Sequence, residues 1–401
     1  MTVYKYTGRT KTGVTKKGII DATNKNAAIL KLRDQGINPR EIVESTSILH
    51  MDLNIGGKIK NQEFVIYCRQ FATLIRAGVS IVEATNILAR QSTSKQLKKA
   101  LEQVEEDVRS GISFSQAVGK HPKVFPELFT NMMRSGEATG DIDETLERLA
   151  NMFEKQYNLK KKVQSTLTYP AVLMVITVVI VFFLLIFIVP TFVSTFDEIG
   201  ADLPLITVLT VALSEWLQKF WWIVIGTVII AVVTFNSLYK KNKQFHFAIN
   251  LALLKMPIFG SLFQKSAIAR LMRTLSSLFS SAVPILQALT ISEKVSGNPV
   301  IGKVVLEARS SLEKGSTLSE PLEKSWIFPP LVTSMTQIGE STGSLDYMLE
   351  KIADFYEDEV DRSVDTLKSL IEPLMILVLA VVIGLIVAAI MLPMFSLYEQ
   401  M

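Results

Sequence analysis

Three uncharged apolar runs constrain this chain more than any other feature. Residues 171–196 read AVLMVITVVIVFFLLIFIVPTFVSTF, residues 220–239 read FWWIVIGTVIIAVVTFNSLY, and a third run covers 374–396. About 20 apolar residues at ~1.5 Å rise each cross a ~30 Å hydrocarbon layer, so each run predicts a transmembrane helix. Trp221, Trp222 and Tyr239 sit at the ends of the second run, as interfacial aromatics do. Residues 205–213 are apolar but too short to span, and read as an interfacial part of the loop 197–219. The composition agrees, with 49% hydrophobic and only 20% charged residues. Lys plus Arg is 42 against 38 acidic residues, a near-balance that argues against a nucleic-acid binder. A single cysteine, Cys68, excludes intrachain disulfides and thiolate clusters, and three scattered histidines leave little for a His-rich metal site. No apolar core follows Met1, so no secretory signal peptide is expected.

Basic residues set the orientation. Lys155 and Lys160–Lys162 precede the first run, and Asp197, Glu198 and Asp202 follow it. Lys240, Lys241 and Lys243 follow the second; Lys351, Arg362 and Lys368 precede the third, with only Glu399 after it. All three runs agree. The two large polar regions are expected in the cytoplasm, and the 197–219 loop and the 397–401 tail outside.

Those polar regions, 62–170 and 240–373, repeat one another. Gly136-Glu137-Ala138-Thr139-Gly140 matches Gly339-Glu340-Ser341-Thr342-Gly343 at an offset of 203, as do Pro170 and Pro373, and Pro190 and Pro393. Upstream the offset is 204, pairing Arg69 with Arg273, Leu74 with Leu278 and Gly111 with Gly315. Apolar positions such as Ile142, Leu146, Leu149 and Phe153 recur at helical spacing. Ser80–Glu83, Ser113–Gln116, Thr317–Glu320 and Asp141–Glu144 read as capping boxes. Gly140 and Gly343 read as stops before a long final helix, uninterrupted until Pro170 or Pro373 and expected to form a semi-rigid stalk. The first fifty residues read differently, as a small β-β-α module with Ile42-Val43 as a possible third strand and nine basic residues up to Arg40. Residues 51–61 read as a linker. The expected fold is mainly α and membrane-integral: two homologous cytoplasmic helical bundles, three transmembrane helices and the N-terminal module.

No enzyme motif stands out. Gly56-Gly57-Lys58 lacks the upstream glycine and the following hydroxyl of a phosphate loop, and there is no HExxH, CxxC or GxSxG pattern. The runs carry no interior charge, and Glu372 sits only at the start of the third, which disfavours a transporter or permease subunit. The loop 197–219 is too small for the outer domain of a sensor.

The paired GE(A/S)TG motifs, the junctions Thr168-Tyr169-Pro170 and Ile371-Glu372-Pro373, and the order repeat–span–span–repeat–span resemble the type II secretion F family over nearly the whole chain, and within it the platforms of type IV pili. The resemblance implies a non-enzymatic platform in a bacterial inner membrane. It would couple a cytoplasmic hexameric pilus assembly or retraction ATPase to insertion or removal of pilin or prepilin subunits. It would also meet other inner-membrane pilus components and a second copy of itself, as a dimer or larger oligomer, without touching nucleic acid. Platforms of type II secretion and DNA uptake share the plan. The resemblance further implies weak calcium binding, and no other cofactor, at Glu83, Glu137 and Asp141. Against it, Glu83 and Asp141 have ordinary capping roles, and the second repeat carries Gln287 and Ser344 at the matching positions. The basic N-terminal module is expected to contact the ATPase, and Lys160–Lys162 to meet lipid headgroups. The acidic run Asp354, Glu357, Asp358, Glu359 and Asp361 is expected to be a solvated face, with docking to a basic ring as the other reading. Ala380, Gly384 and Ala388 are expected to pack against another span.

Overall fold

The computed structural model describes residues 2–10, 15–22, 36–44, 59–191, 205–257 and 259–400, with isolated helical positions between 25 and 33. The chain divides after Lys58 into two units.

In the first unit, β1 (Thr2–Thr10) lies between β2 (Thr15–Ala22) and β3 (Ile37–Glu44), antiparallel to both. Tyr6 faces Gly18 on one side and Ile42 on the other. The third strand joins because β1 is central and both of its edges are paired. Tyr6, Leu32 and Ile37 form the small core. Residues 51–58 of the expected linker lie outside the described residues, and Asn61 opens the first helix.

The second unit is helical. Its first repeat comprises α1 (Asn61–Arg76), α2 (Ile81–Gln91), α3 (Lys95–Arg109), α4 (Phe114–Gly119), α5 (Glu127–Thr139) and the first half of α6 (Ile142–Phe183). Then come α7 (Leu205–Lys241) and α8 (Lys243–Lys255). The second repeat is α9 (Phe259–Ser280), α10 (Ile285–Val295), α11 (Pro299–Glu313), α12 (Ser319–Glu323), α13 (Pro330–Thr342) and α14 (Leu345–Gln400). Helix boundaries recur at the sequence offset. Ile81 and Lys95 correspond to Ile285 and Pro299, and Glu127 and Ile142 to Pro330 and Leu345.

Ring contacts among Phe64, Tyr67, Phe71, Phe114, Phe125 and Phe129 fill the first core. Cys68 is fully buried among them, and burial pushes its thiol up, away from the reactive thiolate. Leu278, Val283, Ala288 and Ile291 of the second repeat belong to the same core, so the repeats share apolar contacts. The second core centres on Ile268, Met272, Ile301, Leu349 and Ile352.

Both final helices run unbroken from their bundles into apolar sequence, with Pro170 accommodated inside α6. Among the described residues three helices are long and apolar enough to cross a membrane, lying in 142–191, 207–241 and 345–389. The pair α8–α9, bent by 111°, also passes on length and composition taken together. Ile268, Leu271, Met272 and Leu275 make α9 a core helix of the second repeat instead.

Part of the expected loop 197–219 is not a loop. Helix α7 starts at Leu205 and places Trp221 and Trp222 midway along its length. The reason is packing: Leu217 and Val211 meet Leu185, Val189 and Phe182 of the first span. There α6 changes to a π-helical turn, Leu184–Ile188. The Ser214 hydroxyl donates to the Leu185 carbonyl, and Gln218 Nε2 to that of Ile186 at 3.5 Å. A π turn loosens the regular ladder, and side chains of a neighbouring helix take up its carbonyls. Thr207 donates to the Ala389 carbonyl at 2.7 Å, tying α7 to α14. Residues 192–204 lie outside the described residues.

Candidate functional site: the repeat motifs and the stalk seam

The GE(A/S)TG motif ends the fifth helix of each repeat, and each of its positions has a structural task. The glutamate reaches back to the short helix before it. Glu137 accepts the Ser115 N–H at 3.1 Å. Glu340 accepts the N–H groups of Leu318 and Ser319, the latter at 3.1 Å, and the Ser319 hydroxyl at 2.7 Å. Carboxylates at a helix start satisfy amides that the helix itself leaves unpaired. The first glycine admits the next helix closely: a Cβ on Gly136 would lie 2.9 Å from Cβ of Thr145, and one on Gly339 would lie 2.9 Å from Cα of Leu345. The last glycine, Gly140 or Gly343, takes the left-handed conformation with φ of 84° or 68° and reverses the chain into the stalk.

This corrects two of the expected capping boxes. Thr317 makes no side-chain cap on α12: its hydroxyl accepts from that of Ser319 at 3.2 Å, and Glu340 takes the Leu318 and Ser319 amides. Asp141 makes no side-chain cap on α6, although its carbonyl accepts from the Thr145 amide. Ser80 and Ser113 cap α2 and α4 as expected. Glu83 and Asp141 are exposed, and Glu137 is engaged with Ser115. The structure therefore does not bring Glu83, Glu137 and Asp141 together. Among the described residues no group of three or more His, Cys, Asp or Glu is placed to hold a metal ion.

A second repeated constellation lies against each stalk. Arg69 contacts Glu147 at 3.0 Å, Asn151 at 2.7 Å and Glu154 at 3.1 Å. Its counterpart Arg273 grips Glu357 with two bonds of 2.9 Å, also pairs with Asp354, and approaches Glu350 at 3.8 Å. Two parallel N–H···O bonds are the strong form of this pairing. Arg273 is buried and Arg69 only half so. Glu147 and Glu154 match Glu350 and Glu357 at the repeat offset, a signal that pairing the arginines alone missed.

The acidic run is more than a solvated face, because four of its five carboxylates are paired within the chain. Lys155 of the first stalk meets Asp354 at 3.1 Å and Glu357 at 3.2 Å. Lys162 meets Asp361 at 2.6 Å, and Lys265 meets Glu359 at 2.9 Å, while Asp358 stays exposed. Beneath the charges Leu159 and Val163 pack with Leu262, Val360, Val364 and Leu367. Burial raises the Asp354 carboxyl, but hydrogen bonds and charge from Arg273 and Lys155 outweigh it and hold it below the usual range. Burial likewise lowers the Arg273 guanidinium, and Glu357 and Asp354 more than reverse that. Arg148, Asn151, Asn158, Ser277 and both repeat arginines line a polar cleft of about 630 Å³ between the repeats.

Of the three lysines expected at headgroups, Lys162 is committed to Asp361, and Lys161 lies over the Tyr157 ring at 5.7 Å. In the N-terminal module, Lys25 and Arg33 are exposed, and the other basic side chains lie outside the described residues. Ala380 and Gly384 face away from the rest of the chain, with nothing within 4 Å of a Cβ on Gly384. The expected packing is therefore not made at Ala380 or Gly384 within one chain, while Ala388 is half-buried. Ile386 and Ala389, on another side of the helix, are the buried positions.

Residues 67–190 and 271–393 each match the type II secretion system protein F domain, and residues 1–43 match its N-terminal domain. The chain belongs to the type II secretion system protein F family. It is 38% identical to the type IV pilus assembly protein PilC of Thermus thermophilus over 99% of this chain and 98% of that one. It is 36% identical to the PilC of Myxococcus xanthus, over 97% and 93%. It is 30% identical to the type II secretion system protein F of Pseudomonas aeruginosa, over 100% and 99%. The two domain matches fall on the two repeats, so the duplication seen in the motifs is that of the family's own domain.

Proposed function

We propose that this protein is the inner-membrane platform of a type IV pilus assembly machine. A cytoplasmic hexameric ATPase would drive it, and pilin subunits would pass between the bilayer and a filament. Near full-length identity to proteins named for type IV pilus assembly carries the reading. The geometry supports a mechanical part. Helices α6 and α14 run without a break from bundle into apolar sequence and are joined side by side through charge pairs and an apolar strip. Displacement of the bundles would reach the membrane helices with little loss, because close-packed interiors transmit strain. Distribution of Lys and Arg supports bundles in the cytoplasm and the C-terminus outside. The basic N-terminal module is the proposed ATPase contact, and the outward small-residue face of α14 the proposed contact with a second copy.

Deleting the reading frame is expected to abolish surface pili, and the wild-type chain to restore them. A chain lacking residues 1–50 is expected to insert in the membrane but to lose co-purification with the ATPase. Intact piliation in the deletion strain, with loss of protein secretion instead, would favour the type II secretion reading that the 30% relative supports.

A further inference from the structure

Arg270 is the exception among the arginines of the stalk region. One turn along the same helix, Arg273 is neutralised by carboxylates. Arg270 lines a cavity of about 250 Å³ between α6, α8, α9 and the α10–α11 turn, and its guanidinium has no hydrogen bond and no ion pair among the described residues. Burial lowers its pKa, and no carboxylate offsets that cost. The other polar side chains lining the cavity are neutral or positive: Lys160, Gln164, Asn250, Ser266, Ser296 and Asn298. Lys160 is exposed and forms no ion pair among the described residues. Gly297 keeps the space open, because a Cβ there would lie 2.6 Å from Arg270 Nη1. Asn298 caps α11, so the positive end of that helix adjoins the same space. A partly buried cation with no counter-ion among the described residues calls for one from outside.

The location narrows the ligand. Gln164 lies seven residues before Ala171, where the first apolar run begins, about 10 Å along the helix. Gln164 also lines a second, mainly apolar groove of about 630 Å³ on α6, formed with Thr168, Val172, Val175 and Ile176. A polar cavity and an apolar groove that share a wall at the membrane edge match a molecule with an anionic head and a hydrocarbon tail.

We infer that Arg270, Lys160 and Asn298 hold the phosphate of an anionic phospholipid whose acyl chain lies along the α6 groove, joining the second repeat to the first stalk. The inference rests on α6 entering a bilayer near Ala171 and does not depend on which machine the platform serves.

The test uses full-length protein in neutral detergent, titrated separately with phosphatidylglycerol, phosphatidylcholine and inorganic phosphate. Native mass spectrometry and thermal melting supply the readouts. Phosphatidylglycerol is expected to remain bound and to raise the melting temperature, while the other two do neither. Arg270→Gln should weaken lipid retention roughly tenfold or more, as loss of a charge-assisted contact does. Lys160→Gln, at an exposed position, should weaken it without altering the fold. Without lipid, Arg270→Gln should melt no lower than wild type, since an uncompensated charge has gone. Wild-type lipid retention in both variants would overturn the inference. So would an equal shift with inorganic phosphate and no retained lipid, which would identify a soluble phosphate as the ligand. A lower melting temperature for Arg270→Gln without lipid, with unchanged retention in Lys160→Gln, would assign Arg270 to packing and overturn it as well.

Discussion

Position 282 shows how one residue can break the symmetry of a duplicated fold. Gly78 turns the chain between α1 and α2 at φ 83°, and the corresponding residue after α9 is Ala282 at φ 54°. A side chain in that conformation costs roughly 1 kcal/mol, because Cβ crowds the carbonyl. Ala282→Gly should therefore stabilise the protein by about 1 kcal/mol, and Gly78→Ala should destabilise it by a similar amount, read from denaturant melts in detergent. Equal and opposite shifts are the expected result; a destabilising Ala282→Gly would refute the assignment of strain. The motif residues were legible at this scale because their repetition singled them out. Their tasks were not. Glu137 and Glu340 read as local helix residues, yet each caps a helix some twenty positions earlier. No spacing rule for a single helix contains that contact.

Between elements, the stalk seam is a pairing of opposite charges over an apolar strip. The sequence displayed both halves, lysines on one stalk and carboxylates on the other, but their meeting depended on the crossing of α6 and α14. Cysteines replacing Lys162 and Asp361 should form a crosslink with a short bifunctional reagent, since the native groups lie 2.6 Å apart. Failure to crosslink in membranes would mean that the stalks separate there. Arg273→Ala should cost about 2–4 kcal/mol, because a buried guanidinium leaves facing carboxylates unmatched. Arg69→Ala should cost about 1 kcal/mol or less, its pairs being more exposed. The pH dependence has a definite sign. The Asp354 carboxyl is held low in the folded protein, so its contribution is present above the ordinary carboxylate pKa of about 4 and is lost as pH falls through that value towards its folded pKa. Asp354→Asn should flatten the acid limb of a stability–pH profile, and a profile identical to wild type would show that the pairing contributes nothing.

For the whole molecule, the shared core makes the two repeats one body. Leu278 belongs to the second repeat by sequence and to the first repeat's core by contact. Leu278→Ala should cost about 2–4 kcal/mol and raise amide exchange in α1 and α5, not only in α9. Exchange confined to the second repeat would mean that the bundles unfold independently. The sequence by itself determined the three apolar helices, the duplication, the stops and starts of most helices and the family, because periodicity, hydrophobicity and turn chemistry are written in neighbouring residues. It misread residues 205–219 as loop and gave the acidic run no partner within the chain. It also left the cavity around Arg270 invisible. Those depended on which surfaces meet: the π turn of α6 receiving Ser214, the stalks aligning lysine with aspartate, and a guanidinium held in a pocket without a carboxylate. Contacts between residues far apart in the chain fix such features, and only the folded arrangement specifies them.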